Sequence, residues 1–94
     1  MANFIYPAVL TFDTEYCVYL ISFYDLDLFT EGATVEEAYF NAKSYLTNYI
    51  ACALKFNAEI NPPSPFEKIE KEFKGDKVFM VEAQVEDIKM KKII

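Results

Sequence analysis

Apolar and polar positions follow two different periods along this chain, and the change of period marks out its elements. Residues 3–12, Asn-Phe-Ile-Tyr-Pro-Ala-Val-Leu-Thr-Phe, are rich in β-formers and end at the polar break Asp13-Thr14-Glu15. A second β run follows from Tyr16 to Tyr24, so the three-residue break predicts a tight hairpin. Pro7 has no N–H to give to a ladder, which predicts an edge position or a bulge for the first strand. Leu26 and Leu28-Phe29-Thr30 predict a short third strand after Asp25, and Glu31-Gly32 turns the chain out of it.

The period then changes to that of a helix. Thr34-Val35-Glu36-Glu37 reads as a capping box, with Thr34 at the N-cap and Glu37 three residues on. Acids in a first turn also suit the helix dipole. Val35, Ala38, Tyr39, Ala42, Leu46, Tyr49, Ile50 and Ala53 recur at three- and four-residue intervals, predicting one helix to about Phe56. Its opposite face carries Glu36, Phe40, Lys43, Ser44, Thr47 and Asn48, where Phe40 is either an ordinary surface apolar residue or part of a contact patch. Asn61-Pro62-Pro63-Ser64-Pro65 stops the helix in a stiff linker, and Ser64-Pro65-Phe66-Glu67 opens a short helical turn through Glu72. After Gly75-Asp76, residues 77–85 read as a last strand. The predicted order is β-β-β-α-β: an α+β domain with one antiparallel sheet packed against one long helix.

Composition narrows the chemistry. The 94 residues make one domain, 53% apolar and 17% aromatic, with material for a core and none of the signatures of disorder or a coiled-coil rod. There is no His, Trp or Arg. Without His there is no Ser-His or Cys-His nucleophile pair and no ordinary zinc site, so most enzyme chemistry is disfavoured and no cofactor is expected. Cys17 and Cys52 lack metal or redox spacing and are expected to be buried, reduced packing residues. No stretch approaches the length of a membrane span, and no basic segment precedes the first apolar run, which points to a cytoplasmic protein.

Charge is unevenly placed. The net charge is −6, yet residues 1–42 hold seven acids (Asp13, Glu15, Asp25, Asp27, Glu31, Glu36, Glu37) and no Lys, while all nine Lys follow. An all-Lys, net acidic chain is a poor specific DNA reader, because Arg supplies the bidentate contacts such readers use. Solubility of an aromatic-rich domain explains the acids in general. Their placement also suits a basic protein partner.

The motifs resemble the HicB family of antitoxins from bacterial toxin–antitoxin pairs. The resemblance rests on Tyr6-Pro7-Ala8-Val9, on Phe23-Tyr24-Asp25-Leu26 running on to Thr30-Glu31-Gly32-Ala33-Thr34-Val35-Glu36-Glu37-Ala38, and on Asn41-Ala42-Lys43 followed by Pro62-Pro63-Ser64-Pro65. These span residues 6 to about 85, as one HicB-like domain over 1–88 with a short basic tail at 89–94. Family members usually have Pro near the aromatic–Asp pair and Pro-Gly after Asp-Leu, where this chain has Tyr24 and Asp27-Leu28. The resemblance implies a layout like part of a ribonuclease H sheet or a double-stranded-RNA-binding domain. It also implies binding to a small basic HicA-like ribonuclease toxin whose RNA-binding surface is covered. Asp13, Glu15, Tyr16, Asp25, Asp27, Phe29 and Glu31 are the contact set expected under it, with no catalytic and no metal-binding residue.

Two other readings stand beside it. One is an orphan interaction domain without a toxin. The other is a metal-dependent nuclease using Asp13, Asp25 and Asp27, which requires carboxylates converging on one patch. A homodimer or larger assembly is expected from an aromatic-rich sheet edge and the apolar Ile93-Ile94. Binding of DNA is not expected from this chain alone.

Overall fold

A computed structural model describes residues 2–74 and 76–85. The elements run β1 (Ala2–Asp13), β2 (Val18–Phe23), β3 (Phe29–Gly32), α1 (Val35–Lys55), α2 (Phe66–Glu72) and β4 (Lys77–Val85). The four strands form one antiparallel sheet in the order β3-β2-β1-β4, so the β-β-β-α-β order and the α+β layout read from the sequence are those of the molecule. The expected tail at 89–94, with Ile93-Ile94, lies outside the described residues.

Side-chain alternation sorts the sheet into two faces. Directly opposed pairs such as Tyr6↔Val81, Ala8↔Phe79, Leu10↔Ile21 and Ile21↔Thr30 lie on one face. Here Tyr6, Ala8, Ile21, Phe23, Val81, Ala83 and Val85 are buried together with Ala38, Ala42, Leu46 and Ile50 of α1. The buried stripe of α1 is therefore narrower than its apolar pattern, because Val35, Tyr39 and Tyr49 stay partly exposed at its margins. Ala38 and Ala42 let the helix approach closely. At the β3 end, a Cβ on Gly32 would lie 2.4 Å from the backbone N of Ala38, so only glycine fits between strand and helix. Gly32 is the last residue of β3, paired with Tyr19, and its role is this close approach more than a turn.

The capping box is present with one change. Thr34 Oγ1 accepts from the Glu37 N–H at 3.1 Å, whereas the Glu37 carboxylate accepts from the N–H of Ala33, one residue earlier than in the usual reciprocal pair.

Three expectations are corrected. Pro7 does not put β1 at an edge: β1 is an interior strand, flanked by β2 and β4. The β1–β2 pairing ends at Ala8↔Phe23, and the Pro7 carbonyl accepts from Tyr24 N–H just beyond it. The nitrogen of Pro7 faces the same side, so proline forgoes only the outermost bond of that ladder while β4 pairs undisturbed. The hairpin loop has four residues, Thr14–Cys17, and not three, because Asp13 pairs with Val18 and its carboxylate organises the turn by accepting from the N–H groups of Glu15 and Tyr16. Cys17 closes that loop at φ 55°, and Cys17 and Cys52 are both exposed, where burial was expected. Cys17 sits at a loop tip. Cys52 lies off the buried stripe of α1.

Candidate functional site

The second face of the sheet is only partly covered. Its side chains come from Ile5, Pro7, Val9, Thr11 and Asp13 of β1, Val18, Leu20 and Ser22 of β2, Phe29 and Glu31 of β3, and Val78, Met80, Glu82 and Gln84 of β4, as the register requires. Over its middle lie α2 and the residues after it: Pro7, Val9 and Ile69 are buried, and the Phe73 ring meets Tyr24 edge-on. Beyond α2, toward β3, the face stays open. Thr11, Ser22, Phe29 and Glu31 are exposed there, and Phe29 is 62% exposed.

Between this open area and the end of α2 runs a cleft of about 280 Å³ lined by Val9, Thr11, Ser22, Phe23, Tyr24, Phe73 and Asp76. Ser22 lies directly opposite Phe29, so the exposed ring stands beside the cleft. Acids surround it, with Glu31 opposite Leu20, Asp13 opposite Val18, and Asp76 on the cleft wall. Lys68 of α2 has its ammonium 5.6 Å from the Tyr24 ring centroid, and the Glu72 carboxylate hydrogen-bonded to the Tyr24 hydroxyl raises the pKa of that phenol.

The seven expected contact residues divide by position. Phe29, Glu31 and Asp13 fall along the open face toward the hairpin, Asp27 is exposed in the β2–β3 loop, and Glu15 with Tyr16, 72% exposed, continue the strip at the hairpin tip. A six-residue β2 separates the two ends of this strip by about 20 Å. Asp25 is placed differently. Its carboxylate accepts from the N–H of Ser64 at 2.8 Å and from the Ser64 hydroxyl, while its carbonyl accepts from the Asn61 side chain. Asp25 thus ties the proline linker to the β2–β3 loop. Tyr6 holds the same linker through its hydroxyl, which donates to the Asn61 carbonyl. Burial, with the Asp25 charge next in weight, raises the Tyr6 pKa.

The carboxylates needed for a metal-dependent nuclease are not brought together. Asp13 is at the hairpin, Asp25 is occupied by Ser64, and residues 24–27 bend instead of extending as a strand. Among the described residues no cluster of three metal-ligating side chains occurs.

Val18 and Leu20 on the same face, and Ser22, Tyr24, Phe73 and Asp76 lining the cleft, are not in the contact set read from the sequence. A signal for the first two was present: Val18-Tyr19-Leu20-Ile21 is apolar on both alternating faces, which a strand with one solvated face does not need. On the helix side, Phe40 is 69% exposed beside Lys43, Ser44, Thr47 and Asn48. Two of the basic residues, Lys43 and Lys55, are on that helix. No described helix is long and apolar enough to cross a membrane.

Comparison with known proteins places the fold. A chain of the toxin–antitoxin complex from Streptococcus pneumoniae superposes with a TM-score of 0.76 at 17% identity, covering 99% of this chain and 78% of that one. The antitoxin HicB of Burkholderia pseudomallei superposes with a TM-score of 0.70 at 18% identity, covering 95% of this chain and 67% of that one. No curated protein sequence matches the chain. The model of the HicB-like antitoxins of bacterial toxin–antitoxin systems matches residues 5–73, from β1 through the end of α2, and the chain therefore belongs to the HicB-like antitoxin family.

Proposed function

We propose that this antitoxin binds a small basic, HicA-like ribonuclease toxin through the open sheet face and blocks it by covering its RNA-binding surface. The observation that carries the reading is the union of charge and exposure on one face. Glu31 and the exposed Phe29 share this face with Asp13 at its hairpin end, all within residues 1–42, which contain no Lys, and Phe29 lies opposite Ser22 of the cleft. A ribonuclease must present positive potential to hold phosphates, and carboxylates spaced along a strip meet that potential as a phosphate backbone does. Phe29 supplies the desolvated anchor that charge alone lacks. The chain acts by occupying a surface and performs no chemistry of its own.

The test is growth rescue. The short reading frame beside this gene is induced alone and together with this chain, and colonies are counted. Arrest by the neighbour and recovery on co-expression support the proposal, as does an affinity between the purified proteins that weakens as salt rises. A harmless neighbour, or arrest that persists with soluble antitoxin present, removes that partner. An orphan interaction domain is then the reading left.

A further inference from the structure

We propose, resting on the toxin reading above, that the cleft between the open sheet face and the end of α2 is a socket for one arginine side chain of the toxin. The cleft has a volume of about 280 Å³. Sites for small molecules run from roughly 300 to 1,000 Å³. This one is of a size for a single long side chain and not for a cofactor.

Its lining is divided as an arginine is. Val9, buried in β1, and the Phe73 ring supply apolar surface for the methylene stem, and such stems bury while their charged heads stay in water. Ser22 lies directly opposite Val9, and Thr11 follows two residues along β1, so two exposed hydroxyls share the sheet floor of the cleft. Asp76 adds an exposed carboxylate to the wall. Among the described residues no hydrogen bond within the chain engages these three side chains. A guanidinium carries five N–H donors and no acceptor, so hydroxyl oxygens and a carboxylate suit it.

Charge selects a cation, and the rings select its kind. An anion here would meet Asp76, with Glu31 and Asp13 on the same sheet face. The one cation at the Tyr24 ring, Lys68, is offset by Glu72 one turn further along α2, which reaches the Tyr24 hydroxyl. Phe73 meets Tyr24 edge-on at 6.1 Å, and its carbonyl accepts from the Asp76 N–H at 3.1 Å, so one tight turn carries both an aromatic ring and the carboxylate. A planar guanidinium stacks on a ring and gives two parallel N–H bonds to a carboxylate, whereas an ammonium is a point charge. Arginine seated in a pocket is also a recurrent anchor of protein interfaces.

The test is the affinity of the purified full chain for the neighbouring toxin, with far-UV circular dichroism as a check on folding. Asp76→Asn keeps the shape of the cleft and removes its charge; Ser22→Leu keeps the charge and fills the space. Each is expected to weaken binding about tenfold. Glu70→Gln, the same change of charge on α2 outside the cleft lining, is expected to bind within about twofold of wild type. Double-mutant cycles pairing Asp76→Asn with each toxin arginine and lysine changed to Ala identify the occupant. One arginine is expected to show coupling of about fivefold or more. A wild-type chain that does not bind removes the toxin reading itself. Binding by wild type, with Asp76→Asn or Ser22→Leu folded and binding equally well, leaves that reading standing and overturns the socket. Equal weakening by Glu70→Gln and Asp76→Asn also overturns it, since the effect is then one of overall charge. Coupling of Asp76 to a lysine, or to no basic residue, overturns the assignment to arginine.

Discussion

The Asp25 carboxylate holds Ser64, 39 residues away in sequence, by accepting both its backbone N–H and its hydroxyl. This bond fixes the path of the proline linker, and with it the approach of α2 to the open sheet face. Asp25→Asn is expected to cost about 1–2 kcal/mol of stability by weakening a charge-assisted, half-buried pair. Asp27→Asn, at an exposed carboxylate two residues on, is expected to leave stability within about 0.5 kcal/mol and to lower affinity for the toxin. Denaturant unfolding and a binding titration on both variants separate the two roles.

Phe29 is the most exposed large apolar side chain among the strand residues of this sheet face, and Ser22 lies opposite it. Phe29→Ala is expected to weaken toxin binding by about 1–2 kcal/mol, with little change in melting temperature. Ser22→Arg fills the cleft with a bulky cation and is expected to weaken binding at least as much. Phe40→Ala, on the far side of the molecule, is expected to bind as wild type. Loss of rescue by Phe40→Ala with retention by Phe29→Ala would move the interface to α1.

Gly32→Ala is expected to destabilise by about 1–3 kcal/mol, since the added methyl meets the Ala38 backbone at 2.4 Å and a backbone atom cannot swing aside. A midpoint shift in urea without a change of slope is the signature. An unchanged midpoint would mean that β3 and α1 part at little cost.

Tyr6 gives the alkaline behaviour its sign. Its pKa is raised in the folded protein, so its contribution to stability is complete below the unfolded value near pH 10 and is lost as pH rises through the folded value. Between these points the unfolded chain has released the phenolic proton and the folded chain has kept it. Tyr6→Phe is expected to be less stable at neutral pH, by about 0.5–1.5 kcal/mol for the bond to the Asn61 carbonyl. Its stability should also decline less steeply above pH 10. Thermal unfolding of both proteins across that range is the check.

The exposed thiols give a direct measurement. Cys17 and Cys52 are both expected to react with an aromatic disulfide reagent in the native protein without denaturant, each as an ordinary accessible thiol.

What the sequence disclosed followed from local chemistry. The Thr34–Glu37 cap, the three- and four-residue spacing of Ala38, Ala42, Leu46 and Ile50, and the β runs each carry their signal within a few residues. Where the reading departed from the structure, the cause lay in partners distant along the chain. Nothing beside Pro7 tells that β2 ends where its missing donor would be needed. Nothing beside Asp25 tells that Ser64 takes its carboxylate, so a half-buried strut and an exposed contact acid read alike. The cleft is the furthest case, since Ser22 and Phe73 meet only after α2 folds across the sheet.

The stagger of β1 has a mechanical consequence. β4 covers Ala2–Leu10 and β2 covers Ala8–Asp13, so only Ala8, Val9 and Leu10 are paired on both sides. The sheet is a lap joint: β2 with β3 on one plank, β4 on the other, fastened over three residues. Ala8 and Val9, both buried, are its rivets. Within the sheet, load passing between the Phe29 end and the β4 edge crosses that overlap, and α1, packed on the core face of both planks, is the other tie between them. The amides of Ala8–Leu10 should be the slowest in the molecule to exchange with solvent, and loosening them should let the two planks open as separate units.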